Sequence, residues 1–474
     1  MEWPEDNRLK NSLNKFDQYV MNDIPIRLIR LSDMTFVGRN DVKNHFRSSV
    51  TEDFKDPSKL VKYAILSHRW LDNSEEEPTY EEMKSGRASG PGYGKLKKFC
   101  EKARAYNLEF AWSDTCCMDK NNGTELDESI RSMFRWYENS AICIIHLAQS
   151  ETIVDIMGDE WTERGWTLQE LLAPHQIKFF NKHWMPMTSD VSDRSWKDTE
   201  VMKTLERATG IPLHDLREYH PGPVRVDERM SWAARRKTSR VEDVAYSLMG
   251  IFNVSLKIAY GEGGDRSFCR LFEAIMQTGD RSVLNWTGEA AKHHCSHAIP
   301  RSPQNFVGRT LELLVDPSLG PLEMTMTSLG LRVPLVILPL SVCSTRQVTG
   351  RYDVTVECPL CPAIKFNFVT ASLAGHDTNQ FALGIVDYSL GSSDLPQIRG
   401  RSAGCILHRS ALLRDICRPS SRDFIRINTV FPPKHDFGQW KKVDGTGLVE
   451  LNFPNVCRKS TFYISREYLE IVYL

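Results

Sequence analysis

Between residues 61 and 180, short apolar runs alternate with amphipathic segments, and this alternation limits the fold more than any other feature of the chain. Residues 61–67 (VKYAILS) are mostly apolar, as expected of a strand buried on both faces. Leu96, Phe99, Cys100 and Ala103 then recur at helical spacing, which predicts an amphipathic helix with Lys97, Lys98, Glu101 and Arg104 toward water. Residues 108–112 read as a second strand, closely followed by Asp114, and Ile130, Met133, Phe134 and Tyr137 mark a second helix. A third strand (141–147, AICIIHL), a short helix (168–173) and a fourth strand (177–180) complete the pattern. Strand and helix in alternation predict a parallel sheet with helices on both faces, of the flavodoxin-like or Rossmann-like class, because right-handed crossovers carry each helix over the sheet. Ligands of such sheets bind outside the carboxyl ends of the strands.

The flanks read differently. Residues 1–60 are a polar lead-in with one short strand-like segment at 26–31, and residues 61–190 form the α/β domain. Residues 191–288 are a helical extension, in which Phe268, Leu271, Phe272, Ile275 and Met276 make an apolar stripe suited to core packing. Residues 289–474 carry short β-type runs between turn residues (LRVPLVIL, RYDVTVEC, FALGIVDY, DFIRINTVF, LEIVYL) and predict a β-rich domain, sandwich or barrel. No internal repeat is visible. At 474 residues the chain exceeds one ordinary core.

Composition removes several functions. Sixty Lys and Arg nearly balance 61 Asp and Glu, so no overall field draws the chain to nucleic acid. The opening MEWPEDNR lacks the basic-then-apolar order of a signal peptide. The apolar run at 333–340 is broken by Pro334 and Pro339 and is far shorter than the ~20 residues of a membrane span. A cytoplasmic location is expected, with the twelve cysteines reduced.

Each candidate site has a structural and a chemical reading. Ser67, His68, Arg69 and Trp70 stand where the first strand ends; Arg69 either meets a ligand or pairs with a neighbouring carboxylate, and Trp70 either meets a ligand or covers the core. Asp114 either accepts a ribose hydroxyl or caps the next turn. Cys116 and Cys117 have no sequence-adjacent His to activate a thiol. Cys358 with Cys361, and HHCSH at 293–297, have ligand residue types but not the paired spacing of a zinc site, so no metal is expected. The basic ARRKTSR (234–240), next to Glu242 and Asp243, reads as a solvated helix face. GEGG at 261–264 lacks dinucleotide-fingerprint spacing, and Gly94-Lys95 is followed by Leu96, so no Walker motif is present. In RGWTLQELLAP (164–174), Thr167 and Glu170 have the spacing of a capping box, which accounts for Glu170 without any chemistry.

Three segments taken together say more. YAILSHRW (63–70), FAWSDTCCMDK (110–120) with the helix ESIRSMFRWYENS, and RGWTLQELLAP with its strand IKFF closely resemble, in order and spacing, the heterokaryon incompatibility (HET) domain of fungal proteins over about residues 63–184. The block MSWAARRKTSRVEDVAYSLMGIFNV, with YGEG after it, is similar to the extension that follows this domain in many members. The resemblance implies a role in non-self recognition between fused cells and in death of the mixed cell, with self-association or a signalling partner.

The resemblance also implies distant kinship with Toll/interleukin receptor (TIR) domains, a TIR-like variant of the flavodoxin-like layout. Enzymatic TIR domains split NAD at the nicotinamide bond with a glutamate in a W-C-x-x-E-L-like stretch, matched here by Trp166 and Glu170, although Thr167 replaces the cysteine. By this resemblance Glu170 is the catalytic candidate, NAD is a substrate rather than a resident cofactor, and Ser67, Arg69, Trp70, Asp114 and Trp166 are substrate-binding candidates. Nicotinamide leaves as a neutral molecule, so no general acid is required, and one carboxylate can stabilise the oxocarbenium-like charge on the ribose. Trp166 can stack on a ring and Arg69 can hold a phosphate oxygen, while the long insertion at 71–94, a second departure from the pattern, either covers or blocks the cleft. The opposing reading is a non-catalytic, self-assembling interaction module in which Glu170 only caps a helix.

Overall fold

The computed structural model describes residues 4–474 except 53–55, 295, 310, 312, 314–319, 371–379, 391–393, 410–440, 444–445, 454–455 and 457–459. It divides into two compact units, one of Met1–Gly222 with Arg235–Gly264, the other of Pro223–Ala234 with Asp265–Leu474.

In the first unit a six-stranded sheet comprises β1 (Arg27–Arg30), β2 (Thr35–Gly38), β3 (Tyr63–His68), β4 (Phe110–Trp112), β5 (Ile142–His146) and β6 (Ile177–Phe180), in the spatial order β2-β1-β4-β3-β5-β6. β4, β3, β5 and β6 run parallel. Every residue of these four strands is buried, so both sheet faces are covered. The expected sheet was all-parallel; the observed one is mixed, because the strand-like segment of the lead-in forms an antiparallel hairpin, β1–β2, whose first strand adds to the edge of β4. A two-strand hairpin cannot bury both its faces alone, and the exposed ladder of β4 supplies the partner.

The helices are α1 (Pro4–Asn22), α2 (Arg39–Phe46), α3 (Tyr80–Lys84), α4 (Gly90–Ala105), α5 (Gly123–Glu138) and α6 (Thr167–Leu172). α5 starts where Asn122 accepts the amides of Thr124 and Glu125. Its periodic apolar residues Ile130, Met133, Phe134 and Tyr137 are buried, and the Tyr137 hydroxyl donates to the Leu66 carbonyl at 2.8 Å, tying the helix to β3. The 71–94 insertion is partly ordered into α3 and the start of α4. Glu77, buried, accepts the Leu71 amide at 2.8 Å and pairs with buried Lys95 on α4. Gly92 is required there, since a Cβ would stand 2.3 Å from the Glu76 carbonyl.

Short helices follow from Glu200–Thr209 onward, and in the second unit Phe268, Leu271, Phe272, Ile275 and Met276 of Gly264–Met276 are all buried, as their spacing predicts. The rest of the second unit is antiparallel β. A nine-stranded sheet is built around Gly330–Val348, and a three-stranded one joins Tyr388–Leu390, Pro396–Arg399 and Thr461–Tyr463. Four of the five β-type runs read from sequence fall on these strands; the fifth, 423–431, lies outside the described residues.

Candidate functional site

Within the first unit, past the carboxyl ends of β3 and β4, a hollow of about 260 Å³ opens to solvent. One wall comes from the strand ends: His68, Trp70, Asp114 and Lys120. The other comes from later in the chain: Arg164, Gly165, Trp166 and Glu170, with residues 237–240, Asp243 and Tyr260. Of the residues singled out in the sequence, Trp70, Asp114, Trp166 and Glu170 are brought together on this lining.

Glu170 does not form the expected capping box. Thr167 lies inside α6 rather than ahead of it, and its hydroxyl turns back to the carbonyls of Trp161 at 2.6 Å and Arg164 at 2.9 Å. The Glu170 side chain points instead toward β3, where the Ser67 hydroxyl donates to Oε2 at 2.5 Å. Ser67 is fully buried and receives the indole N–H of buried Trp161 at 2.8 Å, so its own proton is committed to Glu170. Ser67 therefore supports Glu170 from behind and is not part of the lining. Glu170 itself is only 5% exposed. Burial, and then the negative charge of Asp114, push its carboxyl up to about 8, against the Ser67 hydrogen bond and the charge of Arg164. At neutral pH this carboxyl holds its proton.

Asp114 has the opposite environment. It accepts the Trp70 indole N–H at 2.8 Å and lies 3.2 Å from Nε2 of His68. Burial pushes it up, but His68, Lys120 and Trp70 together outweigh burial and hold it well below the usual carboxylate range. Burial and the Lys95 charge pull His68 down. Among the described residues its Nδ1 has no hydrogen-bond partner, so the neutral tautomer that serves Asp114 carries hydrogen on Nε2. Lys120 stands 3.9 Å from the centre of the Trp70 ring. Trp70 is thus held by a carboxylate and a cation, not merely laid over the core.

Arg69 is absent from the lining. Its guanidinium is engaged by Asp72 and Glu160, which corrects its expected phosphate-holding role in favour of the carboxylate-pairing one. The 71–94 insertion also contributes nothing to the lining. The basic 235–240 stretch is not a helix face: Lys237 bridges to Arg164 in extended backbone, with the Gly165 amide donating to the Lys237 carbonyl at 2.8 Å. Gly165 permits this approach, because a Cβ would stand 2.4 Å from the Thr238 methyl carbon. The wall continues through Asp243, which accepts the Trp166 indole N–H at 3.0 Å and the Tyr260 hydroxyl at 2.9 Å. Arg240 stacks on the Tyr260 ring at 4.1 Å. Sequence reasoning gave Arg164 and Lys120 no role and read Arg240, beside Asp243, as part of a solvated helix face. Lys120 and Arg164 stood inside quoted motifs, but nothing local marks a side chain that acts only across the fold.

Cys116 and Cys117 are buried, and hydrogen bonding to Cys117, then burial, raise the Cys116 thiol well above its ordinary value, which disfavours a Cys116 thiolate. Among the described residues no group of three or more His, Cys, Asp or Glu side chains is placed to hold a metal ion, and no helix is long and apolar enough to cross a membrane.

An α/β unit whose parallel strand ends open onto a carboxylate- and indole-lined hollow is the setting of the next finding. Residues 63–154 match the family model of the heterokaryon incompatibility protein (HET), and the chain carries a HET domain there. It is also 42% identical over 229 residues to the vegetative incompatibility protein HET-E-1 of Podospora anserina, an alignment covering 46% of this chain and 16% of that protein. The chain thus spans about a sixth of that relative's length. No solved structure matches the chain. The family match takes in His68, Trp70, Asp114 and Lys120, while Glu170, Trp166 and the 237–260 wall lie beyond it.

Proposed function

We propose that this chain acts in heterokaryon incompatibility and that its hollow cleaves the nicotinamide glycosidic bond of NAD, with Glu170 as the carboxylate that stabilises the ribosyl cation. The observation that carries the reading is the convergence of Glu170, Asp114, Trp70 and Trp166 on one solvent-accessible hollow at the strand ends. Two further points support it. The HET match and the incompatibility protein relative supply the cellular role. The parallel strands, numbered in chain order, lie in the spatial order 2-1-3-4, that of flavodoxin-like sheets and hence consistent with TIR-like kinship.

In this mechanism the indoles of Trp70 and Trp166 contact the nicotinamide and its ribose, and Asp114, ionised, accepts a ribose hydroxyl. Glu170 begins protonated. The cationic pyridinium ring drives the proton off, because a positive charge close to a buried carboxylate favours its charged form. The carboxylate then faces the positive charge that grows as the C–N bond breaks; the bonding electrons leave with nicotinamide, and water completes the ribose. Since the free protein must lose the Glu170 proton, kcat/KM is expected to rise with pH up to about 8.

The test is nicotinamide release from NAD by the purified chain, dilute and artificially clustered. Wild type is expected to release it and Glu170→Gln to lose roughly 10²–10³-fold, the scale of removing one preorganised electrostatic group. No release by folded, clustered wild type overturns the enzymatic reading.

A second reading has its own observation. Glu170 is buried, protonated and bound to Ser67, as a purely structural group would be. In that case the chain is a self-assembling module or one with a protein partner, and Glu170→Gln keeps both fold and incompatibility phenotype.

A further inference from the structure

The hollow is small for a dinucleotide. At about 260 Å³ it falls below the ~300–1,000 Å³ usual for sites that enclose a whole ligand, so one nucleoside-sized end enters and the remainder lies on the rim. The rim is cationic and unevenly committed. Lys237 is paired with Glu163 at 2.7 Å, and Lys120 sits over Trp70 with its charge balanced by Asp114. Arg164 and Arg240 differ: neither guanidinium forms a hydrogen bond or ion pair among the described residues. Arg164 stands on the same lining as Glu170 and acts on it through charge, without an ion pair to it among the described residues. Arg240 acts on Glu242 and Asp243 only at a distance, and the Glu242 carboxylate is occupied by the Gly261 and Gly263 amides. Arg240 lies with its face on Tyr260 at 4.1 Å, a placement that fixes the group while leaving its in-plane N–H donors free, the geometry that suits phosphate oxygens.

We propose that Arg164 and Arg240 form a cradle for the diphosphate of a dinucleotide whose nicotinamide end occupies the hollow; naming the dinucleotide NAD rests on the reading above. The cradle is composite. Arg164 precedes α6, while Arg240 comes from the 235–264 segment, and the Gly165–Lys237 backbone contact joins the two segments so that both arginines reach the lining of one hollow. Both residues lie outside the HET match, so ligand selection by phosphate is assigned to the segment that follows it.

The experiment uses the full chain carrying Glu170→Gln, so that nothing turns over, with titration calorimetry against ADP-ribose, inorganic pyrophosphate and nicotinamide riboside. ADP-ribose is expected to bind. Adding Arg164→Gln with Arg240→Gln is expected to weaken it by ~10-fold or more, as the loss of two charge-assisted contacts implies, while nicotinamide riboside binding is unchanged. Affinity for ADP-ribose in the protein with both arginines should also fall with rising salt, a readout independent of how the double variant folds. Unchanged ADP-ribose affinity in a folded double variant, no salt dependence, or pyrophosphate binding as tight as ADP-ribose each overturns the cradle. Absence of nicotinamide release from wild type, together with arginine-dependent ADP-ribose binding, removes the catalytic reading and leaves the cradle in place.

Discussion

Asp114 on one wall of the hollow and Glu170 on the other are in opposite states. On the strand-end wall Asp114 is met by donors from Trp70 and His68 and by the Lys120 charge, so it is ionised despite burial. On the later wall Glu170 has hydroxyl donors, Ser67 at 2.5 Å and Tyr137, but no cation paired with it among the described residues, and it lies buried beside the anion Asp114, so it keeps its proton. Acidic residues on one hollow differ because of what surrounds them; burial pushes both up and both accept hydrogen bonds, and the charge of the neighbours, cationic at Asp114 and anionic at Glu170, decides the state. The arrangement separates a fixed anion from a carboxyl that is protonated at neutral pH.

The largest expected effect tests this contrast through stability. The folded pKa of Glu170 is raised above its ordinary value of 4.5 to about 8, so the native state binds a proton that the unfolded chain releases. Its contribution is fully present below pH 4.5 and is lost as pH rises toward 8, with a slope of up to ~1.4 kcal/mol per pH unit across that window. Denaturant titrations from pH 5 to 8 should show the decline, and Glu170→Gln should flatten it. Asp114 has the reverse sign. Its lowered folded pKa contributes stability above its ordinary 3.8 that is lost as pH falls below it, so Asp114→Asn should flatten the acid limb alone.

Next in size is the junction between the walls. Gly165→Ala places a methyl 2.4 Å from the Thr238 side chain and is expected to cost ~1–3 kcal/mol by thermal melting, as overpacking does. A cost near zero would mean that 237–240 does not close on α6. Comparable in scale is Ser67→Ala, which leaves the Trp161 indole N–H without its acceptor inside the core and should cost ~1–3 kcal/mol while raising Glu170 further. The smallest is Lys237→Ala. Its pair with Glu163 joins two exposed side chains and should be worth less than ~1 kcal/mol.

How much of this was legible in sequence follows the same division. The strand-end wall was legible because buried parallel strands announce themselves as apolar runs, and the polar residues that follow them must lie at the rim; Trp70 and Asp114 were found this way. Strand 177–180 matched to the residue. The later wall was less so. Thr167 and Glu170 have capping-box spacing, but Trp166 is the N-cap, Thr167 is already inside the helix, and Ser67, 103 positions away, offers a better-buried partner, so tertiary contact overrode the local motif. ARRKTSR looked like a charged helix face because charge patterning cannot register that Gly165 leaves room for extended backbone there. Arg69 was placed correctly at a strand end but turned to Asp72 and Glu160, a choice of rotamer and neighbours that spacing does not encode. The hairpin β1–β2 was half seen, since a four-residue strand carries little periodicity.

The state of Glu170 is the claim on which the mechanism draws. Carboxyl carbon NMR of the unliganded chain, with the Glu170 signal assigned by its loss in Glu170→Gln, measures it directly. The account predicts a titration centred near pH 8; a titration centred near the ordinary 4.5 would contradict it.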